Sequence, residues 1–491
     1  MLFNSYIFIF VFLPSTLFIF FGLTKFRLTA AATTWLFIAS LAFYAYWNVA
    51  YLPLMLVSIG FNYFIGRTIE EVKLENKKAK SLLWIGICFN LLLLGYYKYA
   101  NFFLASFDAI ANTNWTIPAI ILPLGISFYT FTQTAYLVDA YQGKTQKQDL
   151  ITYGLFVTFF PHLIAGPILH HKEMIPQFQR LRNFVFSHKN IARGLVLFTL
   201  GIAKKVLIAD NISPWVAPVF DNASSVNFIE AWMGAISYTL QLYFDFSGYC
   251  DMAIGLGWML NINLPINFNS PYKSTSITEF WRRWHITLSN FLRDYLYIPM
   301  GGNRKGQVRR YINLMTTMLL GGLWHGAGWT YVVWGGLHGL YLCINHGWRK
   351  WGLSLPKLLA WMVTFLAVVF GWVLFRAKTF PDALEILQAM VGMKGIVLPG
   401  ESQGKLSILT HLGVQLKSWN NLLYLPEVNG SKSLSVVVLV GLMLSVTWLP
   451  NTQEILAKFK PTWWWAIGMG ITASFCLLSL NRVSEFLYFQ F

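Results

Sequence analysis

The sequence predicts an all-α polytopic membrane protein with about 11–12 transmembrane helices, accompanied by re-entrant and amphipathic helices. Hydrophobic residues make up 56% of its 491 residues. Charged residues make up only 12%, roughly half of the about 25% found in soluble domains. Apolar runs long enough to cross a bilayer recur along the chain, which indicates a protein built around the membrane.

Five such runs lie in the first third of the chain, at residues 6–24, 31–48, 51–67, 81–98 and 119–138. Basic residues follow the first, third and fifth runs, so every second loop is positively charged. By the positive-inside rule these loops are cytoplasmic and the N-terminus is periplasmic. The first run lacks a preceding basic segment, which favours a retained span over a cleaved signal peptide.

The remainder of the chain has a less regular pattern. Residues 151–169 are apolar but interrupted by Pro161, Gly166 and Pro167, which predicts a re-entrant segment. Residues 248–265 are too glycine-rich and too short for a separate span, and 311–345 predict two short, tightly packed helices. The other expected elements are spans at 194–212, 229–247, 357–375, 434–449 and 463–480, an amphipathic helix at 380–395 and a polar external loop at 396–432. With no repeat and no soluble segment, we expect one membrane domain over residues 1–491.

The net charge of +17 comes from Lys and Arg in short loops between apolar runs. That placement fits a lipid bilayer as the partner and argues against nucleic acid. The four cysteines lie in apolar runs without paired spacing, so we expect neither disulfides nor metal ligands.

The densest group of Trp, Arg and His lies in EFWRRWHITLSNFLRDYLYIPMGG, residues 279–302. Ser276 followed by Glu279 is a capping-box pattern, which predicts a helix that starts there and ends at Pro299. Its aromatic face would carry Trp281, Trp284, Leu288, Phe291 and Tyr295. The opposite face would carry Arg282, His285, Ser289 and Arg293. We expect the first face in hydrocarbon and the second in water or against an anion.

A second run, GGLWHGAGWTYVVWGGLHG at residues 321–339, places His325 between Trp324 and Gly326. An ionisable residue in hydrocarbon is costly, so it is a functional candidate by default. A bare interior histidine has little packing advantage over Leu or Phe, and its ordinary pKa of about 6.5 makes it a natural proton acceptor. The same argument selects His285.

Other catalytic patterns are absent from the sequence. There is no HExxH motif, no pair of histidines four residues apart and no G-x-S-x-G motif. His325 and His338 are thirteen residues apart, on opposite sides of one continuous helix, so a metal site is not expected.

Three runs concentrate polar groups in apolar surroundings. Their carboxylates either pair with Lys or Arg to fix helix packing or line a cavity, with the pairing favoured. They carry Thr130, Gln133 and Asp139 in the first run, Lys204, Lys205 and Asp210 in the second, and Asp245, Ser247, Tyr249 and Asp251 in the third. Asp245, Ser247 and Asp251 are candidate cavity-lining residues, together with Trp281 and Trp324.

Several runs resemble the membrane-bound O-acyltransferase family, in particular its bacterial alginate O-acetyltransferase branch. The likeness covers most of residues 120–340 in the family's order and rests on LPLGISFYTF, FVTFFPHLIAGPI, YFDFSGYCDMAIGLG, NINLPINFNSPY, EFWRRWHITLSNFLRDYLYIPMGGNRKG and GGLWHGAGWT. It implies a helical bundle with a funnel or tunnel that reaches a catalytic histidine. His325 matches the family's invariant histidine and His285 the second histidine of this branch.

The sequence and the resemblance together lead to a functional hypothesis. The chain is an inner-membrane O-acyltransferase, most simply an acetyltransferase for O-acetylation of an exported polysaccharide such as alginate. His325 is the expected base, His285 assists, and Arg282, Arg283 and Arg293 hold donor phosphates. No bound cofactor is expected; acetyl-CoA or a carrier-protein thioester is the co-substrate.

The sequence leaves two alternative functions open, and the resemblance adds one expected partner protein. A transporter or flippase, or a scaffold subunit of an export complex, would use the same membrane architecture without covalent chemistry. Transporters usually show matched broken segments in two halves, whereas here the segment near residue 161 has no counterpart. The resemblance further implies a periplasmic or membrane-anchored partner protein that completes transfer to the polysaccharide.

Overall fold

Helices form almost all of the regular secondary structure in the computed structural model of the protein, which describes residues 1–72, 77–113, 120–400, 407–480 and Leu487. Within these ranges the strands are β1 (Val397–Pro399) and β2 (Gln415–Lys417), which pair in parallel. The all-α prediction is confirmed. The helices are α1 (Leu13–Lys25), α2 (Thr29–Ala45), α3 (Leu52–Glu71), α4 (Lys77–Leu94), α5 (Ala100–Ala111), α6 (Ile126–Tyr141), α7 (Leu150–Thr158), α8 (His171–Gln179), α9 (His188–Ile202), α10 (Asp210–Ile212), α11 (Ala217–Phe220), α12 (Phe228–Met259), α13 (Ile277–Arg283), α14 (Ile286–Leu292), α15 (Gln307–His325), α16 (Trp329–Lys350), α17 (Lys357–Arg376), α18 (Phe380–Met390), α19 (Lys432–Trp448), α20 (Thr452–Lys458) and α21 (Trp463–Leu478).

Four described helical stretches are long and apolar enough to cross a bilayer: Phe8–Lys25, Val49–Glu71, Lys77–Ala111 and Lys357–Arg376. The pair α19 and α20, bent by 59°, would make a fifth if it forms one broken span. Helices α2 and α21 are apolar but shorter. The chain is thus a polytopic membrane protein, and the larger number of about 11–12 spans stays a prediction.

The chain packs as two compact units, 1–203 with 248–266 and the described residues from 456 onward, and 204–247 with 267–455. Helix α12 contributes its N-terminal part to the second unit and its C-terminal part to the first. The prediction of one membrane domain stays a prediction.

Buried amides join the helices of the first unit. Helices α3 and α4 pack on α6. Asn62 and Asn90 donate to each other's side-chain oxygens at 3.2 and 2.6 Å, and Gln133 Nε2 donates to Ser58 Oγ at 2.9 Å. Polar groups in apolar surroundings need such partners, so these bonds fix how the helices align.

Two predicted boundaries in this unit are wrong. The helix expected from residue 119 begins only at Ile126, after the left-handed Gly125. The helix expected to stop at residue 247 continues to Met259. The glycine content of residues 248–265 argued against a helix there, but these glycines allow α12 to continue beside α9. A Cβ on Gly255 would lie 2.7 Å from the carbonyl oxygen of Gly194, so the two helices pack backbone to backbone.

The interruption predicted within residues 151–169 is confirmed. Helix α7 ends at Thr158, and residues 159–166 form buried turns. Here His162 Nε2 lies 3.0 Å from the carbonyl oxygen of Phe156. A non-helical backbone at membrane depth must be enclosed by protein, and this one is; its re-entrant course stays a prediction.

The predicted external loop has more structure than its composition suggests. Helix α18 ends at Met390, five residues before the predicted end. Leu422 and Leu425 are buried, and the Tyr424 N–H donates to the buried Glu230 at 2.9 Å. Residues 401–406 lie outside the described residues, and the external position of 396–432 stays a prediction.

Candidate active site

The helix predicted to start at Ser276 and end at Pro299 is broken in the structure. The capping prediction is confirmed, because the Ser276 side chain accepts from the Glu279 N–H at 3.2 Å. The chain then leaves the helix at Trp284, His285 adopts a left-handed φ of 43°, and α14 begins at Ile286. The prediction of one continuous helix is therefore wrong, and so is its division into two faces.

Long-range hydrogen bonds explain the break. The Asn269 N–H donates to the Arg283 carbonyl at 2.9 Å, and the Ile286 N–H donates to the Asn267 carbonyl at 3.0 Å. These bonds use backbone groups that a continuous helix would pair internally. A segment that precedes the helix in the chain thus replaces the helical bonds and turns His285 inward.

His285 is fully buried, contrary to the prediction that it shares a wet face with arginines. Its ring packs edge-on against Phe246 at a centroid distance of 4.8 Å and lies 6.1 Å from Trp324. The His325 ring is 6.3 Å away. The structure therefore brings together the two histidines that the sequence selected forty residues apart.

Asn267 holds the His285 ring. His285 Nδ1 lies 3.1 Å from Asn267 Oδ1, within hydrogen-bond distance. The same oxygen accepts from the Thr287 N–H at 3.2 Å and from the Thr287 hydroxyl at 3.0 Å. Asn267 is 1% exposed, so these are buried bonds in surroundings where they are strong.

His325 is the last residue of α15 and is 6% exposed. Aromatic rings surround it: Trp324 at 4.9 Å, Trp334 at 5.2 Å and Phe375 at 5.4 Å between centroids. Such walls exclude water from the imidazole. The predicted apolar setting of His325 is confirmed, and Trp324 lies beside both histidine rings.

The α15–α16 hairpin positions His325, and glycines allow its close packing. A Cβ on Gly322 would lie 2.2 Å from the Tyr331 carbonyl oxygen, and one on Gly335 would lie 2.2 Å from the Met318 carbonyl oxygen. The two helices expected within 311–345 are confirmed, although at 19 and 22 residues they are not short. Small residues at the contact let the backbones approach.

His338 supports the aromatic wall. Trp281 Nε1 donates to His338 Nδ1 at 3.3 Å, and the His338 ring packs 4.8 Å from Trp334. The hairpin turn puts His325 and His338 on different helices, so the single-helix geometry assumed for them is wrong. No group of three or more His, Cys, Asp or Glu in the described ranges could hold a metal ion.

A cavity of about 410 Å³ lies beside this wall. Trp281 lines it. Arg282, Arg293 and Arg310 contribute guanidinium groups, and Leu314, Met318 and Leu342 contribute apolar surface. Within the described residues Arg293 pairs with Asp294 at 2.7 Å, whereas no carboxylate pairs with Arg282 or Arg310. The cavity is therefore net positive and suits an anion with an apolar arm.

His346 and Arg310 form one wall of this cavity. An Arg310 guanidinium N–H donates to His346 Nδ1 at 2.7 Å. Burial, and then the charges of Arg310, Arg349 and Arg282, lower the pKa of His346 to about 4. The ring is thus neutral near pH 7 and leaves the guanidinium charge uncompensated.

Arg283, the third predicted donor ligand, lies elsewhere. It pairs with Glu279 at 2.9 Å and donates to the Asn269 carbonyl. Burial raises the pKa of the Glu279 carboxyl, but hydrogen bonds from Thr275 and the charge of Arg283 outweigh it and the net pKa lies below the usual value. The carboxylate stays charged and neutralises Arg283.

The candidate carboxylates are mostly explained by pairing. Lys205, 1% exposed, contacts Asp210 at 2.8 Å and Asp245 at 2.6 Å. The favoured pairing is confirmed for both, and Asp139 pairs instead with His171 at 3.3 Å. Ser247 follows Asp245 by two residues in α12 and is buried. Asp251 is also buried, and it belongs to the first unit.

The sequence missed several contributors. Asn267 lies in the quoted run NINLPINFNSPY, which was the available signal, but nothing local pointed to that residue. Phe246 lies in the quoted run YFDFSGYCDMAIGLG and Trp334 in the quoted run GGLWHGAGWTYVVWGGLHG, but nothing local singled out either ring. Arg310, His346 and Phe375 lie outside these runs and had no motif signal.

Fold and site define a polytopic membrane protein with a buried histidine pair near a cationic cavity, the arrangement of a membrane-embedded transferase. The family model described as MBOAT, membrane-bound O-acyltransferase family, matches residues 140–377.

Similar proteins align with this chain beyond the residues that the family model matches. The chain is 42% identical to the peptidoglycan O-acetyltransferase of Helicobacter pylori, over 100% of this chain and 98% of that protein. It is 45% identical to the probable alginate O-acetylase of Pseudomonas aeruginosa, over 79% of this chain and 75% of that protein. A teichoic acid D-alanyltransferase of Bacillus subtilis is 27% identical over 52% and 69%.

The chain therefore belongs to the membrane-bound O-acyltransferase family and is an acyltransferase. The resemblance stated from its motifs is confirmed, and the transporter and scaffold alternatives lose their support.

Proposed function

We propose that this acyltransferase moves acetyl groups from a cytoplasmic thioester donor towards an exported polysaccharide of the bacterial envelope. The observation that carries the proposal is the pair of buried rings, His285 and His325, 6.3 Å apart. Their surroundings exclude water, which would otherwise hydrolyse an activated acyl group.

His325 acts as the base. Its imidazole takes the proton of an acceptor hydroxyl while the hydroxyl oxygen bonds to the thioester carbonyl carbon. The carbon–sulfur bond then breaks, and the leaving thiolate takes the proton back from the imidazolium. The products are an ester and a free thiol. His285 assists by orienting the acceptor or the donor beside this ring.

The cationic cavity holds the donor. Acetyl-CoA and an acetylated carrier protein share a phosphopantetheine arm, so one site serves the phosphate of either. Arg282, Arg293 and Arg310 supply charge, and the apolar surface of Leu314 and Met318 suits the arm. A wall connects this cavity to the histidines: Trp281 lies 5.9 Å from Trp334, and Trp334 lies 5.2 Å from His325.

The relatives' names suggest the acceptor. The peptidoglycan O-acetyltransferase aligns with the whole chain and the alginate O-acetylase with 79% of it. Peptidoglycan is therefore the first acceptor to examine and alginate the second. We place the chain in the inner membrane with a periplasmic N-terminus, because basic loops alternate along its first third.

The test compares wild type with His325→Ala in a strain that lacks the native protein. Ester-linked acetate is released by mild base from purified peptidoglycan and, separately, from exopolysaccharide. We expect the variant to insert normally and to lose acetylation by about 10²–10⁴-fold, the typical effect of removing a general base. His411→Ala, which changes an exposed histidine in the 396–432 segment, is the matched control.

Polymer acetylation by His325→Ala within a few-fold of wild type would exclude His325 as the base. In isolated membranes, [¹⁴C]acetyl-CoA and an acetylated carrier protein are supplied in turn, and release of free thiol identifies the donor. If neither donor yields free thiol in membranes from cells whose polymer is acetylated, a thioester donor is refuted.

A further inference from the structure

Asn267 is placed to decide which nitrogen of His285 carries the proton. Its side chain faces His285 Nδ1 at 3.1 Å and the Thr287 backbone N–H at 3.2 Å. A backbone N–H can only donate, so the amide atom that faces both groups is the oxygen, not the nitrogen. The assignment follows from Thr287 and does not depend on the histidine.

That oxygen can only accept. His285 Nδ1 must therefore carry a proton, and in the neutral ring the lone pair lies on Nε2. We propose that Asn267 is a positioning residue that fixes the Nδ1–H tautomer of His285 and directs a basic Nε2 towards the reaction. The inference rests on the role of His285 in the proposed function.

The backbone supports the same arrangement. The Asn267 carbonyl accepts from the Ile286 N–H at 3.0 Å, so this residue bonds the chain on the C-terminal side of His285 through both its backbone and its side chain. His285 itself has the left-handed φ of 43°, which is uncommon for a non-glycine residue. Asn267 thus holds ring orientation and tautomer together, as outer partners do for functional histidines elsewhere.

The direct test is the tautomer. Protein labelled with ¹³C and ¹⁵N in histidine is measured by solid-state NMR in liposomes, and the His285 signal is assigned by its loss in His285→Ala. We expect the Nδ1–H form in wild type, its loss in Asn267→Ala and its retention in Asn267→Asp, because a carboxylate oxygen also accepts from Nδ1–H. An Nε2–H form in wild type would overturn the proposal without any variant.

Kinetics provide the second readout, with the thioester donor that wild type uses. Asn267→Ala should lower kcat by about 10- to 100-fold, the cost typical of losing such a partner, with donor KM within about threefold of wild type. Asn267→Asp should recover kcat to within about tenfold. Equal kcat losses in the two variants, or wild-type kcat in Asn267→Ala, would refute the positioning role.

Two further variants distinguish a positioning role of Asn267 from a general loss of stability and from an effect that does not act through His285. Asn90→Ala, which removes a buried amide from the first unit, should lower thermal stability without this fall in kcat. The double variant His285→Ala with Asn267→Ala should be no slower than His285→Ala alone; a further fall would show that Asn267 does not act through His285. Wild-type kcat in His285→Ala would instead refute the proposed role of His285 itself.

Discussion

At the scale of single residues, the arginines near α13 and α14 differ in whether a carboxylate compensates them. Arg282 lines the cationic cavity without an acidic partner in the described chain, whereas Arg283 pairs with Glu279 at 2.9 Å. These sequence neighbours therefore have different surroundings, because consecutive residues of a helix such as α13 point about 100° apart. Arg283 meets Glu279 and the Asn269 carbonyl, whereas Arg282 faces the cavity.

The first prediction concerns the two arginines of residues 279–302 that line the cavity, Arg282 without an acidic partner among the described residues and Arg293, which pairs with Asp294. Arg282→Ala combined with Arg293→Ala should raise donor KM by about tenfold or more and change kcat less. A charge-assisted hydrogen bond contributes about 1.5–3 kcal/mol, and loss of uniform binding appears in KM. Steady-state kinetics with the donor in membranes measure both constants, with Arg283→Ala as the matched control. An unchanged donor KM in the double variant would make Arg282 and Arg293 structural.

The second prediction concerns the buried Lys205 cluster. Lys205→Met leaves Asp210 and Asp245 without their shared cation, and breaking a buried ion pair typically costs about 3–5 kcal/mol. We expect a large fall in the thermal stability of the detergent-solubilised protein, measured by the loss of monodisperse material on heating.

Restoration by neutral partners tests that cause. Adding Asp210→Asn and Asp245→Asn to Lys205→Met removes the two carboxylate charges that Lys205 balances in the wild type, so most of the stability should return. If the triple variant is as unstable as Lys205→Met, the defect is one of packing and not of buried charge.

At the scale of elements, the α15–α16 hairpin is the support of His325. Its helices approach at Gly322 and Gly335, where Cβ atoms would lie 2.2 Å from backbone oxygens. Backbone cannot move aside as the end of a flexible side chain can. The position of His325 therefore depends on residues one to three turns away.

The third prediction tests this support. Gly335→Ala should destabilise the hairpin by about 1–3 kcal/mol through overpacking and lower acyl transfer by displacing His325. Thermal stability and acyl transfer are both measured. Gly441→Ala, in α19 with open space around its Cβ position, is the matched control and should change neither. Unchanged stability and transfer in Gly335→Ala would contradict the close approach.

At the scale of the whole molecule, charge along the chain predicts its orientation. Basic residues dominate 264–310, where the opposing acidic residues are Glu279 and Asp294. An excess of this kind belongs on the cytoplasmic side, the side on which thioester donors are made.

The fourth prediction is therefore topological. With the four native cysteines replaced, a cysteine at position 305 should react with an impermeant maleimide only from the cytoplasmic face, and one at Lys77 should behave alike. For the periplasmic face, position 4 is unsuitable because Asn4 is buried, so a cysteine replaces the exposed Tyr6 and should react from the periplasm. Labelling of position 305 from the periplasm would contradict the orientation.

The fifth prediction is that a partner completes the transfer. A transferase with its base buried in the membrane can acylate a hydroxyl that is presented beside this base, but it cannot follow a polymer. Liposomes containing this chain, donor and polysaccharide should give little product, and adding a periplasmic or membrane-anchored partner should restore it. Efficient acetylation of polymer by the chain alone would show that no relay is needed.

The sequence by itself determined the helical membrane class, the family and the two histidines. Those depend on composition, apolar run length and local motifs, which are properties of neighbouring residues. The tertiary structure decided how the site is built. Asn267 breaks the predicted helix and orients His285 from eighteen residues away, and Arg310 joins Arg282 across a cavity. Because these hydrogen bonds and charges act between residues that only folding brings together, no local pattern could have revealed them.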